Sequence, residues 1–183
     1  MAKRIYQIIS WGLLALTLIS ILLVLRKPVF PTEGPTPEAT ESFNQKISQL
    51  GTPSAGGAPR EIRLTEAELN SGLQENLSPP ASGGVATLKS TALRLEGDKL
   101  FALFTVEVAG KEVYLIMGGK LGANQGAVEF TPTDVKMGSL PVPVWMVGPT
   151  LRQKLSAMRD QMKLPDSVQD LLIENGEVVL QLR

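Results

Sequence analysis

Residues 5–25 read IYQIISWGLLALTLISILLVL, 21 consecutive residues without a charge. No other feature constrains this chain as strongly. At about 1.5 Å of rise per residue, a helix of that length reaches roughly 30 Å, the thickness of a bilayer's hydrocarbon core. Lys3 and Arg4 flank one end, Arg26 and Lys27 the other. The N-terminal amine tips the basic count toward the start, which favours a cytoplasmic N-terminus. The competing reading is a cleaved signal peptide, whose apolar region is usually about 7–15 residues and ends in small residues. This run is longer and continues as LLVLRKPVFP, with no A-x-A-like site. The sequence therefore predicts an uncleaved anchor within residues 1–27. It places the protein at the cell membrane, single-pass, with the C-terminal domain extracytoplasmic.

Residues 28–37, PVFPTEGPTP, read as a stiff spacer without regular structure. Beyond them Ala39, Phe43, Ile47 and Leu50 fall at i, i+4, i+8 and i+11, one helical face. Thr36 suits the N-cap, Pro37 the first helical position and Gly51 the stop. The spacing predicts a short amphipathic helix over 37–50. It would cover the domain core or, as the sharper alternative, act as a mobile lid or interfacial helix. GTPSAGGAP, 51–59, is a second linker. The chain thus divides into an anchor (1–27), a linker with a short helix (28–59) and a domain (60–183).

Within the domain, EIRL at 61–64 is a strand candidate and TEAE at 65–68 a capping box. Leu64 and Leu69 have the spacing of a hydrophobic staple, and Leu69, Leu73 and Leu77 form a helical stripe. SPPASGG, 78–84, ends that helix. Residues 85–136 read as a β-meander with turn signals at Gly97-Asp98, Ala109-Gly110-Lys111 and Ala123-Asn124-Gln125-Gly126. Leu100, Ala102, Phe104, Val106 and Val108 alternate onto one face, as do Val113, Leu115, Met117 and Leu121. Pro132 suggests an edge or a bulge. MGSLPVPVW, 137–145, reads as a stiff crossover from sheet to helix, because residues before proline avoid helical angles. Leu151, Leu155, Met158 and Met162 are the apolar stripe of the helix that follows, with Pro143 or Pro149 to start it and Pro165 to end it. Asn175-Gly176 predicts a terminal hairpin. The fold class is α+β: a curved antiparallel meander against one long and one shorter amphipathic helix, with a C-terminal hairpin.

The anchor, the LTEAELNSGL helix opening, the meander and then VEFTPTDVKMGSLPVPV before a helix ending in LP follow an order that resembles the YpmS-like family of small membrane-anchored bacterial proteins. Most of the chain takes part, and residues 126–145 are its most specific portion. The resemblance implies a TULIP-like (tubular lipid-binding) domain, in which a curved sheet wraps a long helix around an apolar groove. It carries over no catalytic residue. The spacer and the 37–50 helix depart from it.

Composition narrows the chemistry. The chain has no cysteine and no histidine, so thiolate chemistry, disulfides and a Ser-His-Asp triad are excluded. No metal-binding loop, catalytic constellation or cofactor motif is present; GKLGANQG lacks the strand–GxGxxG–helix order. Residues 61–183 carry 12 basic and 15 acidic side chains, net −3, which argues against nucleic acid. The candidate ligand site is an apolar groove formed by Leu69, Leu73, Leu100, Phe104, Leu115, Met117, Trp145, Leu151, Leu155, Met158 and Met162. Its flexible methionines suit a lipid or other apolar ligand; plain core packing is the alternative. Arg152, Lys154, Arg159 and Lys163 could meet anionic head groups or simply be solvated. Among the carboxylates, Glu66 and Glu68 suit a helix start and Asp98 a turn; Glu75, Glu96, Glu107 and Glu112 show no glycosidase-like pattern. The expectation is a non-catalytic envelope protein that binds or shields a lipid near the membrane. The alternative is a ligand-free adaptor that binds an envelope partner protein through an edge strand or the 37–50 helix; a hydrolase is the third.

Overall fold

The structure is a computed structural model that describes residues 2–50, 60–76, 86–157 and 163–182. The 51–59 linker, Leu77 and the 78–84 stop lie outside the described residues.

Four tight turns fold the central region into an antiparallel meander: β2 (Ala86–Glu96), β3 (Lys99–Val108), β4 (Lys111–Asn124), β5 (Ala127–Met137) and the two-residue β6 (Leu140–Pro141), in that order across the sheet. At two of the turns both residues have positive φ: Ala109 and Gly110 at 49° and 74°, Gln125 and Gly126 at 51° and 72°. That backbone twist matches the strands it joins. Pro132 combines both of its expected roles. It pairs with Gly119 where the β4–β5 register shifts, and β6 reaches only Lys136 and Met137. The missing N–H of Pro132 therefore breaks no regular ladder. The strands run to 14 residues, longer than the turn signals imply.

The sequence predicts one sheet, whereas the structure has two. The Asn175-Gly176 turn, with φ of 52° and 78°, closes the hairpin of β7 (Val168–Glu174) and β8 (Glu177–Leu182). β8 then pairs with β1 (Arg60–Leu64), giving a three-stranded sheet β1-β8-β7 separate from the meander. The reason lies in the alternation of both strands. Ile62 and Leu64 sit opposite Leu180 and Val178, and all four are buried on one face. β7 lies against β4. The main core forms between the two sheets: Leu95 and Leu100 from the meander, Val168, Leu171, Ile173 and Leu182 from the small sheet, and Leu50 and Phe43 beneath them. Each such side chain contributes about 1.5–3 kcal/mol by leaving water.

The capping box forms as the sequence predicts. The Glu68 N–H donates to Thr65 Oγ1 at 3.3 Å, and the Thr65 N–H donates to Glu68 Oε2 at 2.8 Å. It opens α3 (Glu66–Asn76), and Leu64 and Leu69 meet in the core. α2 (Pro37–Leu50) is capped by Thr36, whose Oγ1 accepts from the Ala39 N–H at 3.1 Å. It packs on α3, with the Phe43 ring over Gly72, where a Cβ would overlap it. This is the core-covering role.

MGSLPVPVW turns out to be a hairpin followed by a helix start. Gly138 (φ 60°) and Ser139 make the turn, and Leu140 and Pro141 fold back on Met137 and Lys136. The Val142 N–H donates to Val135 O at 2.8 Å. α4 (Val144–Ala157) begins right after Pro143, whose carbonyl accepts from the Met146 N–H at 3.0 Å. Pro149 therefore lies inside the helix and not in its first turn. Of the two prolines, Pro143 sets the start, because the apolar run Val144–Val147 extends the helical pattern toward the N-terminus.

α1 (Ala2–Leu25) is one unbroken helix. Its side chains are described from residue 13 onward, and among the described residues no helix is long and apolar enough to cross a membrane. Its C-terminal end docks on the 138–139 turn. The Ser139 N–H donates to Leu23 O at 2.8 Å, taking up one of the carbonyls a helix end leaves free.

Candidate functional site: an apolar sheet face beside a polar clamp

Residues paired across antiparallel strands share a face. One row of the meander is therefore Thr91, Phe104, Leu115, Met137 and Leu140; the next is Leu93, Ala102, Met117 and Val135; a third starts Leu95, Leu100 and Gly119. Of the predicted groove residues, Leu100, Phe104, Leu115 and Met117 thus lie on a single face. They do not share one environment. Leu100 and Leu69 pack against the main core. Phe104, Leu115 and Met117 are half-buried and lie outside that core cluster, and Met137 in the same row is 38% exposed. Leu73 is half-buried on α3. Trp145 is 77% exposed on the first turn of α4, so it does not plug the core. Leu151 and Leu155 belong to α4, but their side chains lie outside the described ones, and Met158 and Met162 lie outside the described residues. Thr91, next to Phe104 in its row, has a buried hydroxyl with no hydrogen-bond partner among the described residues. The named residues of this face are apolar apart from the Thr91 hydroxyl.

Beside this face lies a polar cluster that sequence reasoning missed. The Asn70 amide donates to Leu93 O and to Glu33 O, each at 2.9 Å, and its Oδ1 accepts from the Leu93 N–H at 2.7 Å. Glu66 accepts from the Leu95 N–H at 2.8 Å, the Thr32 hydroxyl at 2.8 Å and the Glu33 N–H at 2.6 Å. β2 is an edge strand, and these two side chains satisfy backbone groups that an edge leaves open. They also tie the spacer to the domain. Residues 26–36 have no regular structure, as expected, yet Thr32 and Glu33 are fixed in place. Glu68, 5% exposed, receives Lys46 Nζ at 2.6 and 2.8 Å and the Ser42 hydroxyl at 2.5 Å. Burial pushes its carboxyl up, but the hydrogen bonds from Lys46, Ser42 and the Thr65 N–H outweigh burial and hold it below the ordinary value. The available signal was Asn70 itself, a poor former of helix interiors placed one turn after Glu66.

The remaining carboxylates singled out from sequence each have a partner. Glu75 accepts from Asn44, Glu96 pairs with Arg94, Asp98 with Lys120, Glu107 with Lys89, and Glu112 accepts from the Tyr114 hydroxyl. Among the described residues no group of three or more acidic side chains is placed to hold a metal ion. Lys163 is exposed beside Ala127; the side chains of Arg152 and Lys154 lie outside the described ones, and Arg159 outside the described residues.

A recess of about 400 Å³ opens where the chain leaves α1. Val29, Phe30, Arg94, Lys99, Phe101, Asp134 and Lys136 are among its lining residues. The Arg94 guanidinium lies 5.8 Å from the Phe30 ring centre and 5.7 Å from that of Phe101, holding the first residues of the spacer on the sheet.

No known protein-family model matches the chain, and no curated protein shows significant similarity to it.

Proposed function

We propose that this chain is a non-catalytic, single-pass envelope protein: α1 anchors it with the N-terminus cytoplasmic, and its extracytoplasmic domain binds or shields a lipid or other apolar ligand beside the membrane. The observation that carries the ligand reading is the split of the apolar sheet face. Leu100, itself half-buried, packs against the core, while Phe104, Leu115 and Met117, also half-buried, lie outside that cluster and Met137 on the same face is exposed. Folded proteins seldom leave such a continuation without a use.

Two features of α1 support the anchor. Leu13, Leu14, Leu16, Leu18, Ile19, Ile21, Leu22 and Leu25 are all exposed, an apolar surface on every side of the helix. The Thr17 and Ser20 hydroxyls donate to carbonyls four residues back, at 2.8 and 2.9 Å. Their polarity is thus satisfied inside the helix, as hydrocarbon surroundings require. The order of motifs in the sequence resembles the YpmS-like family, and that resemblance implies a TULIP-like lipid site. The adaptor reading is weaker at the 37–50 helix, because Phe43 and Leu50 already pack inside the domain.

The test is photocrosslinking of the full chain in bilayers that contain a phospholipid with a photoactivatable acyl chain, followed by peptide mapping. Adducts on β3, β4 and β5 are the expected result. Adducts confined to α1 would leave the anchor standing and remove the ligand site. Sidedness follows from Thr131→Cys in this cysteine-free chain: an impermeant maleimide added to intact cells should label it.

A further inference from the structure

Outside α1, the large apolar side chains exposed among the described residues are Val29, Ile47, Met137, Trp145 and Met146. Val29 and Met137 lie beside the point where the chain leaves α1, and Trp145 and Met146 follow the 138–139 turn through the short β6 strand. Val29 follows the helix by four residues and is 93% exposed. Met137 adjoins Gly138, where an added Cβ would overlap the Leu23 and Val24 carbonyls. Trp145 and Met146 open α4, six and seven residues after Ser139, whose N–H holds the Leu23 carbonyl. Ile47 lies on α2. Cations accompany Val29 and Met137: Arg26, Lys27 and Lys136 are all exposed.

We infer that this rim is seated on the bilayer that α1 spans, with Val29, Met137, Trp145 and Met146 in the interfacial layer and the cations at the level of the lipid phosphates. This deepens the anchor reading and rests on it. The physical case has three parts. Indole and thioether side chains with an apolar body are favoured between head groups and acyl chains, whereas free in water they are a liability. Lysine and arginine next to them meet the phosphates of the same layer. The connection between helix and domain is also short and fixed. The Ser139–Leu23 hydrogen bond ties the rim to the last turns of α1, while Asn70 and Glu66 hold Thr32 and Glu33 on the domain. The spacer therefore does not hold the domain away from the membrane. It clamps the domain down, and the Pro-rich 28–37 segment sets orientation where its composition alone suggests distance. The apolar face of Phe104, Leu115 and Met117 is then held close to the lipid it would draw from, since its row continues through Met137 to Leu140 at the rim.

The sequence supplies its own probes, because Trp11 and Trp145 are its two tryptophans. Full-length Trp11→Phe leaves Trp145 as reporter of the rim; Trp145→Phe leaves Trp11 as reporter of the anchor. Each variant is reconstituted in vesicles of equimolar phosphatidylcholine and phosphatidylglycerol, with phosphatidylcholine brominated near the head group or near the chain end. Trp145 emission is expected to be blue-shifted and to lose more intensity to shallow than to deep bromines. Trp11 is expected to be quenched as well, in keeping with an anchor. Quenching of Trp11 without quenching of Trp145 overturns the inference and leaves the anchor intact, and so does a blue-shifted Trp145 that no bromine quenches, which would mean a protein contact. Quenching of Trp145 alone supports a membrane-seated rim and removes the anchor. If neither is quenched, both readings fall.

Discussion

The Asn70 side chain pairs with the Leu93 peptide as a neighbouring strand would, donating to its carbonyl at 2.9 Å and accepting from its N–H at 2.7 Å. The same amide reaches Glu33 O at 2.9 Å, so one buried side chain, 6% exposed, joins helix, edge strand and spacer. Asn70→Ala would leave the Leu93 N–H and the Glu33 carbonyl without it. The expected loss is about 2–4 kcal/mol in denaturant unfolding, larger than a lone surface hydrogen bond would produce. Amides of residues 30–36 should exchange faster in the variant. A change below about 0.5 kcal/mol, the usual size for an exposed site, would mean that the clamp is not a stabilising element.

Glu68 gives the fold an acid-sensitive contact. Its carboxyl is held below the ordinary 4.5 in the folded state, so the contribution is present above that value and is lost as pH falls through the lower folded value. Melting temperature should therefore drop on going below about pH 4.5. Glu68→Gln should be less stable at neutral pH and lose less on acidification. Parallel acid limbs for the two proteins would assign the sensitivity to other carboxylates, such as Asp134, whose carboxyl is lowered by the Thr133 hydroxyl and Lys99.

The approach of α2 to α3 depends on Gly72, because the Phe43 ring occupies the place of a side chain there. Gly72→Val should displace the ring, cost about 1–3 kcal/mol and speed amide exchange in α2 more than in the small sheet. Adding Phe43→Ala makes room, so the double variant should lose less than the two single changes combined. Strict additivity would show that the two side chains do not meet.

Core and candidate ligand surface can be told apart by truncation. Leu180, 4% exposed in the main core, should cost about 2–5 kcal/mol as Leu180→Ala. Leu115, half-buried and outside that cluster, should cost less than about 1.5 kcal/mol as Leu115→Ala while lowering lipid adducts on β4. Equal stability losses with unchanged adducts would mean that Leu115 is ordinary core.

Much of the local structure was legible because its causes are local. The Thr65–Glu68 box, the Asn175-Gly176 turn, the 37–50 helix and the β-meander each follow from backbone geometry or periodicity over a few residues. So does the apolar alternation that puts Leu100, Phe104, Leu115 and Met117 on one face. What sequence could not show is which apolar residues meet. Leu100 and Phe104 look alike in the pattern and are both half-buried; only the position of the small sheet puts Leu100 against the main core and leaves Phe104 outside it. That sheet depends on β1 pairing with β8 across more than 100 residues, a contact no local signal encodes. Asn70 and Glu66 are the sharper case. In sequence they are polar residues of a helix, and their partners, the Leu93 and Leu95 peptides and the spacer backbone, are atoms that every residue has. The sequence by itself determined the apolar run, the elements and their class. Tertiary structure decided the division into two sheets, the clamp on the spacer and the docking of α1 on the 138–139 turn, because each is set by long-range hydrogen bonds to backbone and by which surfaces are left to bury.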